Sequence, residues 1–442
     1  MNRIYLDYAA TTPVDKEVEK AMRPYFSEHF GNPNSLHYFG QQAKKAVDES
    51  REKIAKSIGA DFREVIFTGS ATEANNLAIR GIAKRIMNNE VRIKNKEFKK
   101  TTIHNSSSII PRIIVSAIEH ESVLETARDL EKNGVEIIYL PVDKNGIVNL
   151  KKLKEALNEN TILVSIMYAN NEIGVIQPIA EIANIIQNFR EKLGNQKFSS
   201  LISHLSFPIF HTDAVQAFQF LDCGVNYSGV DLMTLSAHKI YGPKGVGVLY
   251  ARQIANSKGQ MVGDSQSAIS NSLLIPIITG GGQEFGLHSG TENVAGIVGF
   301  AKAIELADKN REKKYKKILE LKKYFWHQLE KIFPATQINA GQIADLRGKS
   351  KELKFLPNIF NVYFPGHRAE ELLIKLDLNG VAVSSGSACA AFSSKPSHVL
   401  KALGYNEKKI NSSLRFSFGK FTTKGDLDTT FKIIKIVLKN NK

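Results

Sequence analysis

The chain has 442 residues and a mass of 49.1 kDa, with 43% hydrophobic and 23% charged residues, which suits two or three globular domains with a sizeable core. Its 2 Cys, 13 Pro and 31 Gly without a period exclude a disulfide scaffold and a collagen-like chain, and no apolar run reaches the roughly 18 residues of a membrane span. The charge balance is 59 − 44 = +15, yet much of the excess lies in surface-like stretches. Between Lys313 and Ile332, Tyr315, Leu319, Phe325, Leu329 and Ile332 recur at helical spacing beneath the lysines; this is a solvated helix face and argues against a dedicated nucleic-acid site. Free thiols in so long a chain indicate a reducing compartment. The sequence near Met1 carries no signal core or Arg/Ser-rich presequence, so a cytoplasmic location is expected.

In chain order, strands are expected at Val65–Phe67, Arg112–Ser116, Val135–Leu140, Leu163–Met167, Ile209–Thr212, Asp231–Leu235 and Gly245–Tyr250. Helical patterns follow several of them, at Thr72–Arg85, Ser122–Lys132 and Ile179–Phe189. Alternation of this kind predicts an α/β domain around a mostly parallel seven-stranded sheet, here spanning 15–310. From about Arg311 a long amphipathic helix, mixed elements and a terminal helix at Leu427–Leu438 predict a smaller α+β domain, 311–442, joined by 1–14. Asn88–Ile110, Gly194–Ser206 and Gln253–Leu274 are polar stretches without firm period and read as loop insertions.

Ligands of parallel sheets sit at the carboxyl ends of the strands, so chemistry is sought there. After Val65–Phe67 comes Thr68-Gly-Ser-Ala-Thr-Glu73, small residues and hydroxyls opening a helix. This is a phosphate cradle, or simply a helix cap with Thr72 as N-cap. His120 follows the second strand and could stack on a ring or move protons, or only start a helix. Asp213 ends an apolar strand, where burial calls for a cation unless the residue merely caps the next helix. Lys239 ends the next strand, a Schiff-base position or an ordinary surface lysine. Together a cradle, a lysine, an acid and a histidine on one sheet edge fit pyridoxal 5'-phosphate.

The chain resembles the NifS/IscS-like cysteine desulfurases of the class V aminotransferase family, of PLP-dependent fold type I, over nearly its whole length. The resemblance is carried by Tyr5-Leu-Asp-Tyr-Ala-Ala-Thr-Thr-Pro13, Gly31-Asn-Pro-Asn-Ser-Leu-His37, Asn170-Asn-Glu-Ile-Gly-Val-Ile-Gln-Pro178, Gly280-Gly-Gly-Gln283, Ser289-Gly-Thr-Glu-Asn293, Ser384-Ser-Gly-Ser-Ala-Cys-Ala390 and Ser413-Leu-Arg-Phe-Ser-Phe-Gly419. It implies that Lys239 holds the cofactor in Schiff-base linkage, Asp213 pairs with the pyridine nitrogen, and His120 stacks on the ring and moves protons. Gln216 and Asn171 would bond the phenolic oxygen. Ala71 (through its backbone), Thr72, Ser236 and His238 would hold the phosphate, with Thr291 reaching it from the other subunit of a homodimer. Arg415 would grip the substrate carboxylate, with help from Asn34.

The same resemblance makes Cys389 the nucleophile that takes sulfur from L-cysteine, leaving alanine and a persulfide for an iron–sulfur scaffold or a tRNA-thiolation acceptor. Its small, polar context suits a mobile loop, whereas Cys223, in Leu221-Asp-Cys-Gly224, reads as structural. Phe285 and His288 stand where relatives commonly carry arginines, and Phe392-Ser-Ser-Lys395 departs from the usual run after the cysteine. A selenocysteine lyase or another class V lyase is the neighbouring alternative. A basic RNA-binding or scaffold protein is the non-enzymatic one, which the Schiff-base lysine argues against. The 11 histidines form no zinc-ligand spacing, and no metal is expected.

Overall fold

The structure, a computed structural model, describes residues 3–97, 110–194, 207–253, 273–342, 354–386 and 396–439. A short strand β1 (Ile4–Tyr5) precedes a seven-stranded sheet made of β2 (Val65–Thr68), β3 (Arg112–Ser116), β4 (Glu136–Leu140), β5 (Thr161–Ser165), β6 (Ile209–Asp213), β7 (Leu232–Ser236) and β8 (Gly247–Ala251). Its order is β2-β8-β7-β6-β5-β3-β4. Only β8 runs against its neighbours; β7, β6, β5, β3 and β4 pair in parallel. The strands are almost wholly buried, as continuous Val/Ile/Leu runs covered on both faces should be.

Beyond the sheet, β9 (Gln337–Ile338), β10 (Ile359–Tyr363) and β12 (Ser413–Ser417) form a three-stranded antiparallel sheet in the order β12-β10-β9, while β11 (Val381–Ala382) pairs in parallel with β1. Phe325 fastens this sheet to the long helix Val294–Ile332, its ring 5.0–5.5 Å from those of Phe360, Phe416, Phe418 and Phe431. That helix runs unbroken through positions 310 and 311 and also packs on the helices Tyr38–Ile58 and Lys16–Met22.

Several expectations shift. The strand expected at Leu163–Met167 is found at Thr161–Ser165. The helix expected from Thr72 to Arg85 starts at Ala71 and continues to Glu97, so the first ten residues of the supposed insertion 88–110 are helical. Ser70, not Thr72, caps it: the Ser70 Oγ accepts from the Glu73 amide at 3.2 Å. The long helix begins at Val294, well before Arg311. Residues 98–109, 195–206 and 254–272 of the expected insertions, and Cys389 itself, lie outside the described residues.

Candidate active site

The parallel strands deliver their carboxyl ends to one edge, and reversed β8 brings its amino end to the same edge. A cavity of about 330 Å³ opens there. Its walls come from the ends of six of the seven strands: Ser70, Ala71 and Thr72 after β2; His120 and Ser122 after β3; Asn171 after β5; Asp213 and Gln216 at β6; Ser236, His238 and Lys239 at β7; and Gly245 before β8. Arg415 closes it from the smaller sheet.

At one end the helix Ala71–Glu97 presents its first turn, with free amides and the positive end of its dipole. Close approach is built in. A Cβ at Gly247 would lie 2.6 Å from the Ser70 carbonyl carbon and 2.8 Å from the Ala71 nitrogen, so only glycine lets β8 seat this turn. His238 stands beside it, its pKa lowered to about 4 by burial and by the charges of Lys239 and Lys244. It is therefore neutral near pH 7, with Nδ1 3.1 Å from Thr11 Oγ1.

Asp213 lines the cavity from the end of β6. It is nearly buried, and its carboxylate accepts from the Val215 amide at 3.0 Å and from Asn75 Nδ2 at 2.9 Å. Next to it Glu119 is fully buried; burial and the neighbouring Asp213 hold its carboxyl well above the usual range, although the Met167 amide donates to it at 2.7 Å.

Lys239 Nζ donates to two main-chain carbonyls, Ala9 at 2.7 Å and Ala10 at 2.6 Å, and Gln216 Nε2 donates to Ala9 at 3.0 Å. The segment 9–12 thus forms one wall. It is pinned by Thr12, whose amide and hydroxyl both donate to the His238 carbonyl, at 2.9 and 3.0 Å. Arg415 is 1% exposed, with Nη1 2.8 Å from the Asn171 carbonyl and Nη2 2.7 Å from Asp7 Oδ1. Its Nε is buried without a hydrogen-bond partner among the described residues. A guanidinium that lines a cavity with an edge donor unspent is suited to a carboxylate.

Of the thirteen residues singled out in the sequence, twelve lie among the described residues and ten of those line the cavity. Ala71, Thr72, His120, Asn171, Asp213, Gln216, Ser236, His238, Lys239 and Arg415 all line the cavity. Asn34 does not: it is exposed and its Nδ2 lies 3.3 Å from Glu292 Oε2. Thr291, its neighbour on that surface, is exposed and also outside the cavity of its own chain. Of the departures, Phe285 lies under the Arg51 guanidinium, 4.8 Å from its ring centre, and His288 Nε2 lies 2.8 Å from Glu73 Oε2 at the cradle. Cys223 is buried, and burial pushes its thiol well above the ordinary range. Sequence reasoning missed the Ala9 and Ala10 carbonyls, Asp7, Asn75 and Ser122. The motif Tyr5–Pro13 was visible, but backbone acceptors have no side-chain signature. Among the described residues no group of His, Cys, Asp and Glu could hold a metal ion, and no helix is long and apolar enough to cross a membrane.

The fold and the edge-on cavity are those of a known class. Residues 4–430 match the family Aminotransferase class-V, and the chain belongs to it. Among curated proteins it is similar to "Cysteine desulfurase IscS" of Dictyoglomus turgidum, 42% identical over 98% of this chain and 94% of that one. It is 41% identical to "Putative cysteine desulfurase IscS 1" of Bacillus subtilis, over 99% of each chain. Among solved structures it is similar to a "NifS-like protein", with a TM-score of 0.78 and 32% identity over 99% of this chain and 100% of that one. "SspA in complex with cysteine" superposes with a TM-score of 0.70 and 32% identity, over 95% of this chain and 100% of that one.

Proposed function

We infer that the protein is a pyridoxal-phosphate-dependent cysteine desulfurase that converts L-cysteine to L-alanine and forms a persulfide on Cys389. The observation that carries this reading is the ordered edge of the sheet: a helix N-terminus, a lysine, a buried aspartate and an arginine with a donor to spare face one cavity. The donor set fits the cofactor. Ala71, Thr72, Ser236 and His238 would hold its phosphate, Gln216 and Asn171 its phenolic oxygen, Asp213 its ring nitrogen, and Lys239 its aldehyde carbon. When bound, pyridoxal phosphate supplies an electron sink for the substrate's α-carbon.

The chain's own groups do the rest. Arg415 binds the substrate carboxylate and so fixes which bond at Cα faces Lys239. Lys239 Nζ, which the Ala9 and Ala10 carbonyls place at the cavity wall, takes the Cα proton and returns a proton to Cα before alanine leaves. His120, which lines the cavity, would cover the ring and move protons beside it. The Cys389 thiolate attacks the substrate sulfur; an S–S bond forms, the C–S bond breaks, and its electron pair stays with Cβ, which takes up a proton. The persulfide then passes to a protein acceptor, an iron–sulfur scaffold or a tRNA-thiolation relay. A reducing cytoplasm suits such a thiol.

The working form is a homodimer in which Thr291 and Asn34 complete the neighbouring subunit's site. Supporting this, both residues sit on a surface that also exposes Phe26, Phe30, Leu36 (92% exposed), Tyr38 and Phe39, with Phe30 stacked on Phe39 at 5.5 Å. Large apolar side chains so grouped mark a contact surface.

The test is the absorption spectrum of the purified protein, followed by alanine and sulfide release on adding L-cysteine. The expected result is a visible cofactor band lost in Lys239→Ala, and sulfide release lost in Cys389→Ala with the band intact. A band without sulfur release would transfer the assignment to another class V lyase. Absence of any band after addition of pyridoxal phosphate would remove the enzyme reading. Light scattering at the mass of two chains checks the dimer.

A further inference from the structure

His120 caps the helix Glu121–Lys132, and its ring is turned so that Nδ1 meets that helix. The Ser122 amide donates to Nδ1 at 3.1 Å, and Ser122 Oγ lies 2.9 Å from the same nitrogen. A backbone N–H can only donate, so Nδ1 must accept, and the proton of the neutral ring belongs on Nε2.

The hydroxyl is directed from its other side. Asn75 Nδ2 lies 2.8 Å from Ser122 Oγ and 2.9 Å from Asp213 Oδ2. The charged carboxylate only accepts, so this atom of the amide is the nitrogen, and its second proton points at Oγ. Having accepted from Asn75, Ser122 gives its own proton to Nδ1. Asn75 is fully buried, and its Oδ1 has no partner among the described residues. An unsatisfied buried carbonyl is costly; the opposite orientation would set that carbonyl against the Asp213 carboxylate, which is worse.

We propose that Asn75 and Ser122 are positioning residues: a one-way hydrogen-bond chain from Asn75 to both Asp213 and, through Ser122, His120, which adds a second donor at Nδ1 to that of the Ser122 amide and so strengthens the tautomer with its proton on Nε2. Neutral His120 then offers an N–H rather than a lone pair at Nε2. The chain also ties two elements of the site, the end of β6 and the cap of the helix after β3, to one amide on the cradle helix. This rests on the reading of His120 as the residue that covers the cofactor ring and moves protons.

The experiment is 15N spectroscopy of the full-length, cofactor-loaded protein labelled at histidine, with the His120 ring signals assigned by their loss in His120→Gln. Near neutral pH the expected pattern is a protonated Nε2 and an unprotonated, hydrogen-bonded Nδ1. In Ser122→Ala the Nδ1 signal moves toward the unbonded position while Nε2 stays protonated, because the amide of residue 122 remains. The same variant lowers kcat about fivefold, the order of one ordinary hydrogen bond, at unchanged KM for L-cysteine, and Ser122→Thr restores both readouts. A His120 protonated at Nδ1, or an Nδ1 signal unmoved in Ser122→Ala, overturns the proposal. If Ser122→Ala does not fold, the wild-type tautomer decides alone. The signals are read without turnover, so a protein without desulfurase activity but with this tautomer would sink the functional reading and leave the chain standing.

Discussion

Asp7 Oδ1 lies 2.7 Å from Nη2 of Arg415, joining two residues 408 positions apart. The bond spends one edge of the largest fully buried side chain among the described residues and, with the Asn171 carbonyl on Nη1, fixes the plane of its guanidinium. Lysine has no fork with which to keep both partners and still reach a carboxylate. Arg415→Lys is therefore expected to raise KM for L-cysteine about tenfold or more, with a smaller change in kcat, in initial rates of alanine release. A variant with unchanged KM would remove Arg415 from substrate binding.

Gly247 matters through what it lacks. Gly247→Ala would drive a methyl into the Ser70–Ala71 backbone, which would have to move outward with the first turn of the cradle helix. Cofactor affinity is expected to fall about tenfold or more, measured by absorbance titration of protein stripped of pyridoxal phosphate, because several amide bonds to one anion lengthen together. Thermal unfolding of the stripped protein should show how much of the effect is general destabilisation.

His211 ties stability to pH. It is fully buried between Ser165 Oγ, 2.8 Å from Nδ1, and Thr234 Oγ1, 3.1 Å from Nε2, and burial lowers its pKa from 6.5 to about 3. The folded chain therefore keeps it neutral where the unfolded chain takes up a proton. Its neutral state costs nothing above about pH 6.5, and stability is lost as the pH falls from there toward 3, by up to about 1.4 kcal/mol per pH unit. In urea unfolding, the advantage of wild type over His211→Gln should shrink across that interval. A constant difference would contradict the assignment.

Cys223 should be chemically silent. Its thiol is buried and pushed away from the thiolate form, and a reagent needs an accessible thiolate. In a Cys389→Ala background, a thiol reagent is expected to find no reactive group in the native protein and one in denaturant. Rapid native labelling would place Cys223 on a surface.

How much of this was visible in the sequence depended on the kind of signal. Asp213 and Lys239 were legible because each follows an apolar run, and a parallel sheet sends every such end to one edge. The bounds of β5 were not: Thr161 to Met167 is buried throughout, so no alternation marks where pairing stops. The first half of the Val294–Ile332 helix was missed for a related reason. Ala295, Gly296, Ile297, Gly299, Phe300, Ala301, Ala303, Ile304 and Ala307 are all buried, and the first two turns, Val294 to Ala301, hold no charged residue to show the helical period. Asn75 and Ser122 had ordinary helix-start chemistry, and only their distances join them to Asp213 and His120.

The wall built from Ala9 and Ala10 has a consequence for how the protein tolerates change. Its polarity comes from peptide carbonyls, so replacing either side chain leaves the acceptors in place, and a scan of substitutions would pass over this part of the site. What it does not absorb is a change in count. Leu6 is held by Ala382 and Ser417 on one side and Thr12 by His238 on the other, so one residue added or removed between them would swing the carbonyls off Lys239. This stretch acts as a ruler, and its length carries the information that its side chains do not.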